Sequence, residues 1–154
     1  AGARVTATVR NEALRPAVAE IGAEVLAPEE LPSDERYDVV LELVGAPNLA
    51  ANVKSLATGG RIVVIGIGAG AKGELNLRDL MNARGRVMGS TLRARPLEEK
   101  ALAMRAVERE VLPLLAAGEV KVPVAETFPL ERVADAYERF AAGGKLCKIV
   151  LELP

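Results

Sequence analysis

Apolar and polar residues follow one another in two rhythms along this chain, a period of two that marks strands and a helical spacing that marks helices. Arg4 to Val9 (RVTATV) is β-branched with period-two character, and Asn11 then caps a helix over Glu12 to Ile21 that Gly22 ends. Ala23 to Leu26 is a short second strand, and Pro28 to Arg36 is a charged loop with two prolines. Tyr37 to Val44 (YDVVLELV) is strongly strand-like, its apolar run broken by Glu42. Gly45, Ala46 and Pro47 make a turn, after which Asn48 to Leu56 places Leu49, Val53 and Leu56 at helical spacing. Thr58-Gly59-Gly60 ends that helix, and Arg61 to Ile65 (RIVVI) is a continuous apolar run of the kind that parallel sheets cover on both faces. A glycine-rich loop, Gly66 to Gly73, leads to a short helix over Leu77 to Ala83 and a strand over Gly85 to Thr91. Pro96 to Ala116 is the longest helix, with Glu98 and Glu99 near its positive dipole end and Pro113 expected to bend it or end it early.

Strand alternating with helix at this pitch predicts βαβ units with right-handed crossovers around a parallel sheet. The tail behaves differently. Val120 to Phe128 is extended and interrupted by Pro123, and Leu130 to Ala142 is an amphipathic helix with Val133, Ala134, Tyr137 and Phe140 on one side. Leu146 to Leu153 (LCKIVLEL) is a final strand. Tyr137 and Phe140, sharing a helix face, read as core, as does Cys147 inside the apolar strand. The chain opens at Ala1 with a strand following almost at once, so a fragment of a longer protein is expected.

Composition narrows the chemistry. Twenty basic side chains stand against 21 acidic ones with no basic block, which gives no electrostatic reason to expect nucleic acid or an anionic membrane as partner. No apolar run reaches the roughly 18 to 20 residues of a membrane span, and the start lacks a signal-peptide pattern, so the cytoplasm is the expected compartment. There is no histidine and one cysteine, which excludes zinc sites of the His/Cys kind, histidine-dependent triads and an internal disulfide in these residues.

Two segments offer ligand chemistry. Gly66-Ile67-Gly68-Ala69-Gly70-Ala71 follows a strand and formally satisfies G-x-G-x-x-A, a pyrophosphate fingerprint, but the helix that should start at once is delayed. The alternatives are a strand-end loop lining a ligand crevice and a plain glycine-rich turn. Val9-Arg10-Asn11 ends the first strand where an NAD-preferring domain would place an acid for the ribose hydroxyls. Arg10 and a small polar residue there suit a 2′-phosphate; the alternative is a solvated arginine and a helix cap. Asp38 and Glu42 share a strand face, with Asp38 expected at the strand entrance and Glu42 expected to be satisfied near the crevice or by a basic neighbour. Arg86, Arg93 and Arg95 form a basic cluster that reads as solvated loop or oligomer contact before phosphate site.

The whole chain resembles the C-terminal half of the medium-chain dehydrogenase/reductase superfamily, the zinc-binding dehydrogenase family, and is most similar to its zinc-free NADPH:quinone oxidoreductases. The pieces that carry the resemblance are IGAEVL at 21–26, YDVVLELVGAPNLAANVKSLATGGRIVVIGIGAG at 37–70, GSTLRAR at 89–95, FPLERVADAYERF at 128–140 and GKLCKIVLEL at 144–153. It implies an α/β fold: a Rossmann-type doubly wound parallel sheet lacking its first strand over residues 1–119. Residues 120–154 would return to a GroES-like catalytic domain. The family's first strand and its A-x-G-G-V-G loop would precede Ala1, leaving a gap between the first strand here and Tyr37 to Val44. Many relatives carry glycine where Cys147 stands, which implies a local packing change.

By position, the resemblance implies that Arg10 and Asn11 face the adenosine 2′-phosphate and that Val44 and Gly45 lie beside the dinucleotide. Gly66, Ile67 and Gly68 would meet the nicotinamide carboxamide with their backbone, and Thr91, Leu92 and Arg93 would lie near the nicotinamide and the dimer edge. The implied cofactor is NADPH, the implied substrate a quinone or enone, and the implied assembly a homodimer through the Gly85 to Thr91 strand edge. No catalytic residue and no metal ligand fall within these residues on this reading. The alternatives are a zinc-dependent alcohol dehydrogenase or enoyl reductase of the same superfamily, or a non-catalytic nucleotide-binding or assembly module.

Overall fold

A computed structural model describes residues 2–153. It divides into two compact units, one of Pro28–Lys100 and one of Ala1–Ala27 with Ala101–Pro154. Among the described residues all strand pairs are parallel, in three sheets ordered β1-β2, β3-β4-β5 and β6-β7. The first strand of the chain and Tyr37 to Val44 belong to different sheets.

In the unit of Pro28–Lys100 the sheet consists of β3 (Tyr37–Glu42), β4 (Leu56–Val64) and β5 (Arg86–Gly89), with β4 central. Helices α2 (Leu49–Lys54) and α3 (Leu77–Ala83) form the crossovers. Alternation along the strands decides what is buried. Val40, Ile62 and Val64 turn toward the helices and pack with Leu49, Val53, Leu56, Leu75, Leu80 and Ala83. The odd positions Val39, Leu41 and Leu43 turn to the other face and stay exposed. Asn76 starts α3 as an N-cap, its side chain accepting from the Arg78 and Asp79 amides, and Arg84 in the left-handed region ends it. The helix occupies the predicted positions.

One boundary differs from the sequence pattern. Leu56 belongs to β4 and not to the preceding helix, and Thr58-Gly59-Gly60 lies inside that strand rather than ending the helix. The Ser55 hydroxyl donates to the Ala51 carbonyl and closes α2, while the Ser55 carbonyl already accepts the Tyr37 amide of the sheet. The ladder then slips from Tyr37↔Leu56 to Val39↔Arg61, so that residues 57–60 bulge out of register. Periodicity sees Leu56 at a helical spacing; the sheet claims it.

In the other unit, β1 (Thr6–Thr8) pairs with β2 (Glu24–Leu26), joined by a 3-10 turn at Glu12–Leu14 and α1 (Arg15–Glu20). Asn11 caps the turn by accepting from the Ala13 amide, and Gly22 takes the positive φ that releases the chain. The long helix, whose first residues still belong to Pro28–Lys100, is split into α4 (Leu97–Glu110) and α5 (Leu112–Ala116). Pro113 has no N–H and its ring would strike the Arg109 carbonyl, so an unbroken helix cannot pass it. At the end of the chain, β6 (Val124–Pro129) pairs with β7 (Lys148–Glu152) across α6 (Val133–Ala141).

The expected core face of α6 is corrected by the structure. Ala136 is the buried residue of the helix, whereas Tyr137 is 70% and Phe140 61% exposed. The side turned to the strands carries Ala136 and Arg139, which pairs with Glu126 of β6 at 3.3 Å. On the aromatic side the Lys145 ammonium lies 4.0 Å from the Phe140 ring centre. Cys147 is half-buried. Among the described residues no helix is long and apolar enough to cross a membrane.

Candidate functional site

Parallel α/β sheets present their ligand sites outside the carboxyl ends of the strands, where successive loops diverge. All ten candidate residues fall at such ends. Arg10 and Asn11 follow β1, Val44 and Gly45 follow β3, Gly66 to Gly68 follow β4, and Thr91 to Arg93 follow β5.

The loops after β3 and β4 are built around Glu42, the last residue of β3 and only 4% exposed. Its Oε1 accepts from the amides of Val44 at 2.6 Å and Gly45 at 2.7 Å, with the Asn48 side chain farther off at 3.4 Å. Oε2 accepts from the Asn52 side-chain amide. Its backbone carbonyl takes the amides of Ile65 and Gly66 at 2.8 and 3.0 Å. No basic neighbour is in this set: the burial of the carboxylate is offset by four amide donors, two from the backbone of the turn that follows it and two from the Asn48 and Asn52 side chains. Asp38, at the entrance of the same strand, is exposed, so the two carboxylates do not form a pair.

The two loops are also fastened to each other. Ala69 donates its amide to the Val44 carbonyl and Ala46 donates to the Gly70 carbonyl, both at 2.9 Å. The approach leaves no room for side chains at two positions. A Cβ on Gly66 would lie 2.2 Å from the Leu43 carbonyl oxygen, and one on Gly45, whose φ is 122°, would lie 2.4 Å from that of Gly70. Behind the loops a cavity of about 160 Å³ is lined by Glu42, Gly45, Val64, Ile67, Gly70 and Val87. At the crown, Ile67 and Gly68 are exposed, and their backbone amides make no hydrogen bond among the described residues.

These bonds decide among the readings of the glycine-rich loop. The amides of Gly66, Ala69 and Gly70 are consumed by carbonyls of the loops themselves, and α3 begins only at Leu77 with its own cap. A pyrophosphate cradle needs those amides free at a helix start, so the fingerprint reading does not hold. The crevice-lining reading fits the geometry.

After β5, the Ser90 amide continues the ladder to the Val64 carbonyl. Arg95 braces the next turn by donating to the Thr91 carbonyl at 2.9 Å and to the Ser90 hydroxyl at 3.2 Å. Thr91, Leu92 and Arg93 are exposed beside the end of β4. In the other unit, the Asn11 side chain is engaged as the helix cap, while Arg10 is exposed and its guanidinium has no partner among the described residues. A larger concavity of about 680 Å³, with Arg36, Lys54, Thr58 and Asp79 in its wall, contains none of the candidate residues. It borders the entrance of β3 rather than a carboxyl end.

The sequence pattern did not name the donors that satisfy Glu42, among them Asn48 and Asn52. A lone acid in an apolar strand followed by a glycine turn was the available signal; the amides it binds become visible only once the turn closes. Among the described residues no group of three or more His, Cys, Asp or Glu side chains converges to hold a metal ion.

A parallel α/β architecture with ligand loops fastened together at the carboxyl ends is of the Rossmann type. The chain belongs to the zinc-binding dehydrogenase family, whose model matches residues 6–151. It is 32% identical over 125 residues to the quinone oxidoreductase of Mus musculus, covering 78% of this chain and 35% of that one. It is 28% identical over 153 residues to the acryloyl-coenzyme A reductase of Metallosphaera sedula, covering 97% and 43%. Among solved structures, a thermostable alcohol dehydrogenase from Pyrobaculum aerophilum superposes with a TM-score of 0.74 at 31% identity, covering 97% of this chain and 43% of that one. The chain thus spans less than half the length of each of these proteins.

Proposed function

We propose that this chain is the cofactor-binding half of an NADPH-dependent oxidoreductase that reduces a quinone or an α,β-unsaturated carbonyl. The observation that carries the reading is the pair of fastened loops after β3 and β4, which leaves the Ile67 and Gly68 amides free at the carboxyl end of a parallel sheet. Two exposed donors on a wall of glycine backbone fit a planar carboxamide, and Val44, Ile67 and Leu92 offer apolar surface to the ring beside it. When bound, NADPH supplies the hydride from C4 of its nicotinamide. The residues here orient that ring and exclude water from one side of it; no proton donor is assigned among them.

Arg10 is the residue for the 2′-phosphate, because an unpartnered guanidinium at the end of β1 stands where an acid would select the unphosphorylated ribose. Asn11 contributes the turn that aims it. The substrate class is supported by the named activities of two relatives, on a quinone and on an acryloyl thioester, which share an electron-poor conjugated acceptor. On this reading residues 1–119 form a partial Rossmann domain and residues 120–154 return to a catalytic domain encoded upstream. The intact enzyme is a cytoplasmic homodimer joined at β5, an edge strand exposed along its whole length.

The test is a titration with NADPH and NADH of the 154-residue chain and of a form extended upstream through one further strand and loop. The extended form is expected to bind and to prefer NADPH. Arg10→Ala should remove roughly ten- to a hundredfold of that preference, the range of a charge-assisted hydrogen bond of about 1.5–3 kcal/mol. Binding of neither nucleotide, or a preference for NADH, overturns the reading. Equal binding by the short chain would return the pyrophosphate to Gly66–Ala71 and overturn the placement of the loops.

A further inference from the structure

We propose that Glu42 is a positioning residue for nicotinamide, holding the Ile67 and Gly68 amides at the crown of the β4 loop; the proposal rests on the cofactor reading above. Position 42 grips both loops by different atoms. The carboxylate holds the β3 turn through the Val44 and Gly45 amides, and the backbone carbonyl holds the root of the β4 loop through Ile65 and Gly66. The turn then passes the restraint on, since Val44 accepts from Ala69 and Ala46 donates to Gly70. The loop is therefore fixed on either side of residues 67 and 68, whose amides have no partner among the described residues.

The choice of side chain points the same way. With no basic partner among the described residues, the buried Glu42 side chain depends on its amide donors, so the turn and the helix that supply them are tied to it. Charge-assisted bonds are shorter and stiffer than neutral ones, and both of the turn amides here are bound at 2.7 Å or less. Asn52 and Asn48 supply further donors from α2 and its approach, so the carboxylate is also fixed from the helix side. Stiffness at that point matters to a ligand that must be held at a defined angle.

The experiment compares Glu42→Gln and Asn52→Ala with the parent in the extended form, titrating NADPH and, separately, 2′,5′-ADP, which carries the 2′-phosphate but no nicotinamide. Glu42→Gln is expected to weaken NADPH about tenfold while leaving 2′,5′-ADP within about twofold, and Asn52→Ala to follow with a smaller change of the same kind. In the ligand-free 154-residue chain, the Ala69 and Gly70 amides should exchange with deuterium faster in Glu42→Gln while the Ile62 and Val64 amides keep their rates. Equal weakening of both ligands means general loosening and overturns the proposal, as does unchanged NADPH affinity or unchanged exchange at Ala69 and Gly70. If the parent binds neither ligand, the cofactor reading and this role fall together; a parent that binds with variants that do not discriminate overturns the role alone.

Discussion

At position 66 the carbonyl oxygen of Leu43 stands where a side chain would begin, 2.2 Å from an added Cβ, while at Gly68 two residues on there is open space. The two glycines look alike in G-I-G-A-G, yet they answer differently to the same change. Gly66→Ala forces two backbone segments apart and is expected to destabilise the unit by about 1–3 kcal/mol, the range of overpacking. Gly68→Ala should stay within about 0.5 kcal/mol, and urea unfolding of the two variants side by side distinguishes them. What the sequence displays at this scale is the residue that acts within its own turn. Asn11 as a cap was legible because its partner, the Ala13 amide, is two residues away. Glu42 was only half legible, because the donors that satisfy it depend on a turn closing and on a helix packing back against the strand.

Elements were legible where period and punctuation agree. Helix α3 has a cap at Asn76, an apolar spacing and a stop at Arg84, and it forms over the expected residues. The boundary at Leu56 was not legible, since a leucine at a helical spacing gives no sign that a neighbouring strand will take it into a bulged ladder. Helix α6 shows the other limit of pattern. Its sequence separates an aromatic side from a charged one, but the side that meets β6 and β7 carries Ala136 and the Arg139–Glu126 pair, and the aromatic side is open. Periodicity identifies a stripe without saying what covers it. It follows that Tyr137→Ser should change the stability of this chain by no more than about 0.5 kcal/mol, as for an exposed position. A loss of several kcal/mol in thermal unfolding would mean that the ring is covered in solution.

For the whole molecule, the sheet β3-β4-β5 ends at a strand with an open edge and four exposed residues, Arg86–Gly89. Such edges invite pairing with another strand. Light scattering of the extended form is expected to give the mass of two chains, and a strictly monomeric mass at high concentration would remove the proposed interface. The class of fold was readable at this scale from the alternation of strand and helix alone, because parallel pairing requires a crossover between every two strands. The rule has a consequence in time. Each strand here pairs with a strand next to it in the chain, residues 18 apart at Thr6↔Glu24 and 25 apart at Ile62↔Val87. Among the described residues no ladder waits for a distant segment, so the loop that each must close is short and its entropic cost small. During synthesis, each of these pairs can zip as soon as its second strand leaves the ribosome.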